Sequence, residues 1–265
     1  MIGSVTDPHC TMNISPKPAA EIEDPRRRFL LRALSLGGLA AGLGSSGQLM
    51  AEVLGKRPGK LAEGKSIFDV QGEVFINDQP ATPQSRIAAT DTLRTGKTGS
   101  LIAVLGQDAF LLRENSRLEL GVVESAQGAA KQLFRLVNGA LLTVFGARKT
   151  GDEVQLHTNL VIMGIRGTGV YVEAAPEQTY ACTCYGRVQL TSAIDPAATE
   201  EIRSLHHDAP RYILAQPREG RRIIPAPFFN HTDLELRMLE ALVGREVPFG
   251  LNDDPYAGPR RDYQP

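Results

Sequence analysis

The amino-acid sequence predicts an all-β protein with a small helical appendage towards its C-terminal end. Three observations carry that reading. From Lys65 to Leu190 apolar and polar residues alternate in short runs, the period-two pattern of half-buried strands. Turn residues interrupt those runs roughly every 8–12 residues, the spacing of a sandwich, barrel or roll rather than of βαβ units. No helix-periodic stretch intervenes before residue 195, whereas one with both caps begins at Thr232.

Composition sets the outer bounds. A chain of 265 residues can bury a sizeable core, and 42% hydrophobic with 22% charged residues is ordinary globular composition. Five of the 29 Lys/Arg and four of the 30 Asp/Glu lie in the first 47 residues, leaving 24 against 26 in the rest. That balance excludes a broadly basic surface able to hold nucleic acid by neutralising phosphates. No run of about 18 apolar residues occurs, so no membrane-spanning helix is expected.

Residues 1–25 are polar. Pro25-Arg-Arg-Arg-Phe-Leu-Leu-Arg32 then leads into the apolar run Ala33–Leu43 and the small residues Ser45, Ser46 and Gly47. A basic segment, a short apolar segment and a small-residue exit describe an export signal. The arginine pair directly before Phe29-Leu30, followed by a Gly-rich and weakly hydrophobic run, resembles the twin-arginine type. Arg32 and the shortness of the apolar run argue against an anchoring helix. Residues 1–51 are therefore expected to be an export signal and leader, with Gly47 or Ala51 offering a small residue at the cut. The expected destination is the periplasm, entered in the folded state. Cys10 falls inside the leader, which leaves Cys182 and Cys184 as the cysteines of the exported chain, in an oxidising compartment.

The body is then read strand by strand. Ile67–Ile76 alternates and stops at Asn77-Asp78, a turn pair. Thr90–Thr95 is short and is closed by Gly96-Lys-Thr-Gly99. Ser100–Leu105 and Ala109–Arg113 bracket Gly106-Gln-Asp108, a hairpin. Arg117–Val123, Lys131–Val137, Ala140–Phe145 and Glu153–His157 continue the series, and Asn138-Gly139 between two apolar runs predicts a tight hairpin. Gly169–Glu173 and Gln178–Thr183 flank an Ala-Ala-Pro break.

Several of these stretches share a further likeness. Gly72-Glu-Val-Phe-Ile-Asn77, Asp91-Thr-Leu-Arg-Thr-Gly96, Gly99-Ser-Leu-Ile-Ala-Val104 and Leu111-Leu-Arg-Glu-Asn-Ser-Arg-Leu118 resemble the FecR domain, the periplasmic sensor module of iron-dicitrate regulators. Asn138-Gly-Ala-Leu-Leu-Thr-Val144 and Ile165-Arg-Gly-Thr-Gly-Val-Tyr-Val172 resemble its closing half. The likeness covers Gly72–Leu190 and rests on turn residues and alternation; Thr90 stands where the family usually has Gly. It implies one antiparallel β-roll or sandwich-like module over residues 65–192, non-enzymatic, that binds a ligand or an envelope protein. About 25 residues precede the basic cluster, too few for the cytoplasmic helical segment of FecR-type anti-sigma regulators, so a sigma-factor role is not implied.

Two Gly-rich stretches carry no chemistry. Thr95-Gly-Lys-Thr98 ends like a phosphate loop, but Asp91 stands where a Walker A motif needs its first Gly. Gly164-Ile-Arg-Gly-Thr-Gly169 lacks Gly-x-Gly-x-x-Gly spacing and reads as a close-packed strand entry. No Gly-x-Ser-x-Gly elbow occurs, and spacing selects no Ser/His/Asp set.

Cys182-Thr-Cys184 is different. On a strand, thiols two residues apart share a face and can both reach one metal ion. His206, His207 and His231 follow in segments able to fold back over the sheet. Cys182, Cys184, His206, His207 and His231 are therefore candidate ligands for a transition metal: Zn2+, a thiolate-preferring ion such as Cu(I), or iron, haem included. The spacing is not that of a zinc finger. Other readings stay open: inert core thiols, a redox-active pair, a strained and reducible disulfide, and histidines that sit at the surface beside Asp208.

In the extension over residues 193–247, Asp195–Glu201 is expected to form a short helix, and Arg211–Ala215 and Arg221–Ile224 short strands. Arginines 203, 211, 218, 221 and 222 form a basic cluster that meets an anionic partner or pairs with neighbouring acids. Thr232-Asp-Leu-Glu235 is a capping box, Leu234, Leu236, Met238, Leu239, Leu242 and Val243 give an apolar face, and Gly244 sits where a helix terminates. His231 directly precedes the cap. Residues 248–265, rich in Pro, Gly and Asp, are expected to be an extended tail. Two functions are thus expected: a non-enzymatic, exported binding or sensing module, or a metal or redox protein. Convergence of both thiols with two imidazoles would favour the second.

Overall fold

The computed structural model describes residues 58–124, 130–148 and 153–250. The expected leader with its arginine pair, Cys10 and most of the expected tail lie outside the described residues. Among the described residues the chain forms strands β1 (Ile67–Gln71), β2 (Val74–Ile76), β3 (Gln79–Pro80), β4 (Thr92–Thr95), β5 (Ser100–Leu105), β6 (Asp108–Leu112) and β7 (Arg117–Glu124). After these come β8 (Ala130–Val144), β9 (Glu153–His157), β10 (Val161–Ala174), β11 (Gln178–Ser192), β12 (Thr199–Ser204), β13 (Arg211–Arg218) and β14 (Arg221–Pro225), then one helix, α1 (Asp233–Leu242). The strands join into a single connected sheet. Its pairings are antiparallel except β8 with β9. The protein is all-β with a small C-terminal helix. No described helix is long and apolar enough to cross a membrane.

Long strands that change partners shape the sheet. The first half of β8 pairs with β7 and β9, its second half with β6 and β10. The change falls at Asn138-Gly139, so the hairpin expected there is not formed. Gly139 has φ +88°, and a Cβ on it would come within 2.1 Å of Ser116 Oγ. The dipeptide supplies a left-handed residue and a close backbone approach, but it kinks a continuous strand instead of reversing it. β10 behaves alike: its register shifts between Arg166 and Gly169 as it passes from β9 to β8. There a Cβ on Gly169 would meet the Tyr185 ring at 2.6 Å.

The kinked strands divide the apolar residues into two cores. One holds Leu93, Phe110, Phe134, Leu136 and Val172, with the Phe134 ring edge-on to Phe110 and Phe145. The second lies between sheet and helix. In it Leu111, Leu142, Tyr171 and Cys182 stand directly opposite one another on β6, β8, β10 and β11, and Leu236, Leu239 and Leu242 of α1 share their cluster. The helix starts as its capping box requires, with Glu235 N donating to Thr232 Oγ1 and Thr232 N to Glu235 Oε2. Gly244 ends it at φ +76°. Arg113, buried at the end of β6, donates to Glu235 Oε1 at 2.8 Å and to the Asn230 carbonyl at 2.9 Å, fixing the first turn to the sheet.

Asp195–Glu201 is not helical. Thr199–Ser204 is strand β12, paired along β11 from Thr191↔Thr199 to Gly186↔Ser204. Ile202 and Ser204 point inward while Glu201 and Arg203 face out, a period of two that suits the free edge of β11 better than a helix.

Candidate metal centre

Three segments distant in the chain meet on the helix side of the sheet. β11 supplies Cys182 and Cys184, both free and fully buried, on one face because side chains alternate along a strand. The loop after β12 supplies His206 and His207. It is tied down by Asp208, whose carboxylate accepts from the Leu205 and His206 amides, and by the His207 amide donating to the Cys184 carbonyl at 2.9 Å. The segment before α1 supplies His231, stacked on Tyr171 with ring centroids 4.5 Å apart. His207 has φ +55° and Asn230, next to His231, has φ +65°. A left-handed backbone at a residue other than glycine is unfavourable and concentrates at functional sites.

The sulfurs of Cys182 and Cys184 and one nitrogen each of His207 and His231 all lie within 4.8 Å of one another. His207 Nδ1 is 3.5 Å from Cys182 Sγ and 3.1 Å from His231 Nε2. A tetrahedron with bonds of about 2.0–2.3 Å has edges of roughly 3.3–3.8 Å; the 3.5 Å separation falls in that range and the 3.1 Å one just below it. Hydrogen bonding outside the cluster fixes which ring nitrogens face it. His207 Nε2 lies 3.1 Å from Asp233 Oδ1 and His231 Nδ1 2.8 Å from the Phe229 carbonyl. Both partners accept, so both of those nitrogens must donate. The inward nitrogens then face each other at 3.1 Å, a pairing met either by a proton on one of them or by a shared cation.

Asp233 lies behind two of the imidazoles. It accepts from His206 Nε2 at 2.9 Å as well as from His207, the carboxylate–histidine arrangement that orients metal-binding imidazoles. Burial acts against its charge, but the two histidines hold its carboxyl far below the usual range. Burial alone would also raise the Cys182 thiol; the Cys184 thiol and the His231 and His207 rings outweigh it and hold Cys182 well below its ordinary value. Cys184 moves the other way, raised by burial and by its bond to Cys182. Burial opposes charge on His207 too, yet Asp233 and Cys182 bring it up to about 9. The lowered Cys182 thiol and the Asp233 carboxyl thus stand on either side of the His207 ring, where thiols and imidazoles converge on one point.

Of the five residues picked out in the sequence, the fold brings four to that point. His206 is turned to Asp233, with which it and His207 form a second, overlapping group. Asp233 was not singled out from the sequence except as part of a cap; its place two residues after His231 was the available signal. The arginine cluster is dispersed: Arg211 pairs with Glu200, Arg203 with Glu201 and Arg221 with Glu219.

No family model and no curated protein matches the chain. Among solved structures it is similar to two crystal structures, at 1.65 and 2.50 Å resolution, of a protein from Parabacteroides distasonis ATCC 8503 assigned as an anti-sigma factor. Both match with 11% identity and a TM-score of 0.41, over 51% of this chain and 58% of that one.

Proposed function

We propose that Cys182, Cys184, His207 and His231 hold one transition-metal ion, with Zn2+ the ion that a compact set of two sulfurs and two nitrogens suits best. The observation that carries this reading is the pair of imidazole nitrogens 3.1 Å apart beside two thiols, each ring held from behind by an acceptor. Four protein donors leave no position for a substrate, the arrangement of structural rather than catalytic zinc. The chain then works as a non-enzymatic binding module whose extension is fastened to the β domain by the ion. The export signal read in residues 1–51 and the FecR-like pattern over Gly72–Leu190 support a periplasmic module acting through a ligand or an envelope protein. A chain exported folded takes up its metal in the cytoplasm.

Metal analysis of protein purified from its own host without chelator tests the assignment. About one ion per chain is expected, lost in Cys182→Ser and in His231→Ala. Co2+ loaded in its place should give thiolate-to-metal charge-transfer absorption that Cys182→Ser removes. Less than about 0.2 ion per chain, unchanged by Cys182→Ser, would sink the metal reading.

A further inference from the structure

Next to the centre, on β10, β11 and β12, three arginines stand in one cross-strand row. Arg166 is directly opposite Arg187, and Arg187 directly opposite Arg203. Side chains so placed share a face with Cβ atoms about 4.5–5.5 Å apart, and like charges in that position destabilise a sheet. Glu201 accepts from Arg203 Nε at 2.6 Å and lies 3.9 Å from Arg187 Nε; Arg203 first, then Arg187 and Arg166, hold its carboxyl below the usual range. The Arg187 and Arg203 side chains remain 41% and 66% exposed.

All three arginines line a single cleft of about 1040 Å3. Much of the remaining lining is apolar, including Phe145, Phe249 and Leu205, the last 79% exposed. Of the cleft's acids, Glu240 is buried and committed to the Tyr185 hydroxyl and to Arg245, and Glu246 is exposed. The row thus sets three guanidinium groups side by side near the solvent-open Leu205. Planar guanidinium groups bind oxyanions through paired N–H donors, and an anion over the row would remove the repulsion within it.

We propose that this cleft binds a small amphiphilic oxyanion, its phosphate or carboxylate head held by Arg166, Arg187 and Arg203 and its apolar body by Leu205 and Phe249. Such a head belongs either to a soluble aromatic or aliphatic acid or to an anionic lipid. Titrating the full, metal-loaded chain with phenyl phosphate and with inorganic phosphate, and sedimenting it with phosphatidylglycerol or phosphatidylcholine vesicles, separates the two sources. A soluble ligand is indicated by saturable, one-site binding of phenyl phosphate at least tenfold tighter than of inorganic phosphate. A lipid head is indicated by co-sedimentation with phosphatidylglycerol alone.

In either case Arg187→Gln should weaken binding tenfold or more, and R166Q/R187Q/R203Q should abolish it, with metal content unchanged. Because it relieves the row, Arg187→Gln should also melt at a higher temperature than the parent when no ligand is present. Absence of binding to every probe, or binding unaffected by the triple substitution, would overturn the proposal. A lower melting temperature in Arg187→Gln would do so too, since the row would then be satisfied within the protein. None of these outcomes depends on which ion the centre holds.

Discussion

His207 is where backbone conformation, charge and the proposed ligation coincide. Its left-handed φ aims Nδ1 at Cys182 and His231, while Nε2 is held by Asp233. Before metal enters, His207 carries a proton up to about pH 9, and the raised Cys184 thiol keeps its own. Cys182, held low, has none to give up once pH exceeds its lowered value. Binding a dication must therefore displace about two protons, so affinity rises with pH by roughly tenfold per proton per unit until His207 titrates near 9, and falls as the solution is acidified. Asp233→Asn removes the charge that raises His207 and one of its acceptors. That variant should lose about 10–100-fold in affinity and show a shallower pH dependence, because His207 then yields its proton at lower pH. Calorimetry in buffers of different ionisation enthalpy counts the protons directly. An unchanged count in Asp233→Asn would mean that His207 is not a ligand.

At the scale of elements, α1 serves as a mount for the site. Its cap, Thr232, lies between His231 and Asp233, so fraying of the first turn moves a proposed ligand and the carboxylate that holds His207 together. Thr232→Ala should cost about 1 kcal/mol of stability and lower metal affinity as well. Gly244→Ala, at the far end of the helix with φ +76°, should cost a comparable ~1 kcal/mol through backbone strain and leave affinity unchanged. Thermal melts paired with competition against a metal indicator distinguish the two effects. The elements themselves were largely legible, since alternation marks strands and Thr232-Asp-Leu-Glu235 followed by Gly244 marks the helix ends. Asn138-Gly139 was misread because a left-handed pair serves a kink as well as a reversal, and only the partners of β8 decide which. Asp195–Glu201 was misread because the open edge of β11, distant in sequence, supplied the pairing that made it a strand. Cys182 and Cys184 were legible through period two. The choice of His207 over His206 was not, as it rests on one left-handed residue and on an aspartate 26 positions away.

For the whole molecule, the ion would tie the extension to the β domain at three points: β11, the loop after β12 and the entry to α1. Without metal, the extension keeps the buried Arg113–Glu235 pair and the leucines of α1, so it should stay docked but less tightly. A ligand present at 100 times its dissociation constant stabilises the state that binds it by about 2.7 kcal/mol, and a domain of this size shifts by roughly 2–4 °C per kcal/mol. A strong chelator should therefore lower the melting temperature by roughly 5–10 °C at such a metal concentration. The loss should also be uneven. The first core and strands β4–β8 hold none of the four donors, whereas α1, the 205–208 loop and the strand beneath them would depend on the ion. Hydrogen exchange after chelation should accelerate first at the amides of Leu236–Leu242 and at His207, whose amide bonds the Cys184 carbonyl, with β4–β8 little changed. Uniform acceleration across the sheet would place the ion's contribution in folding of the entire domain instead of in fastening its extension.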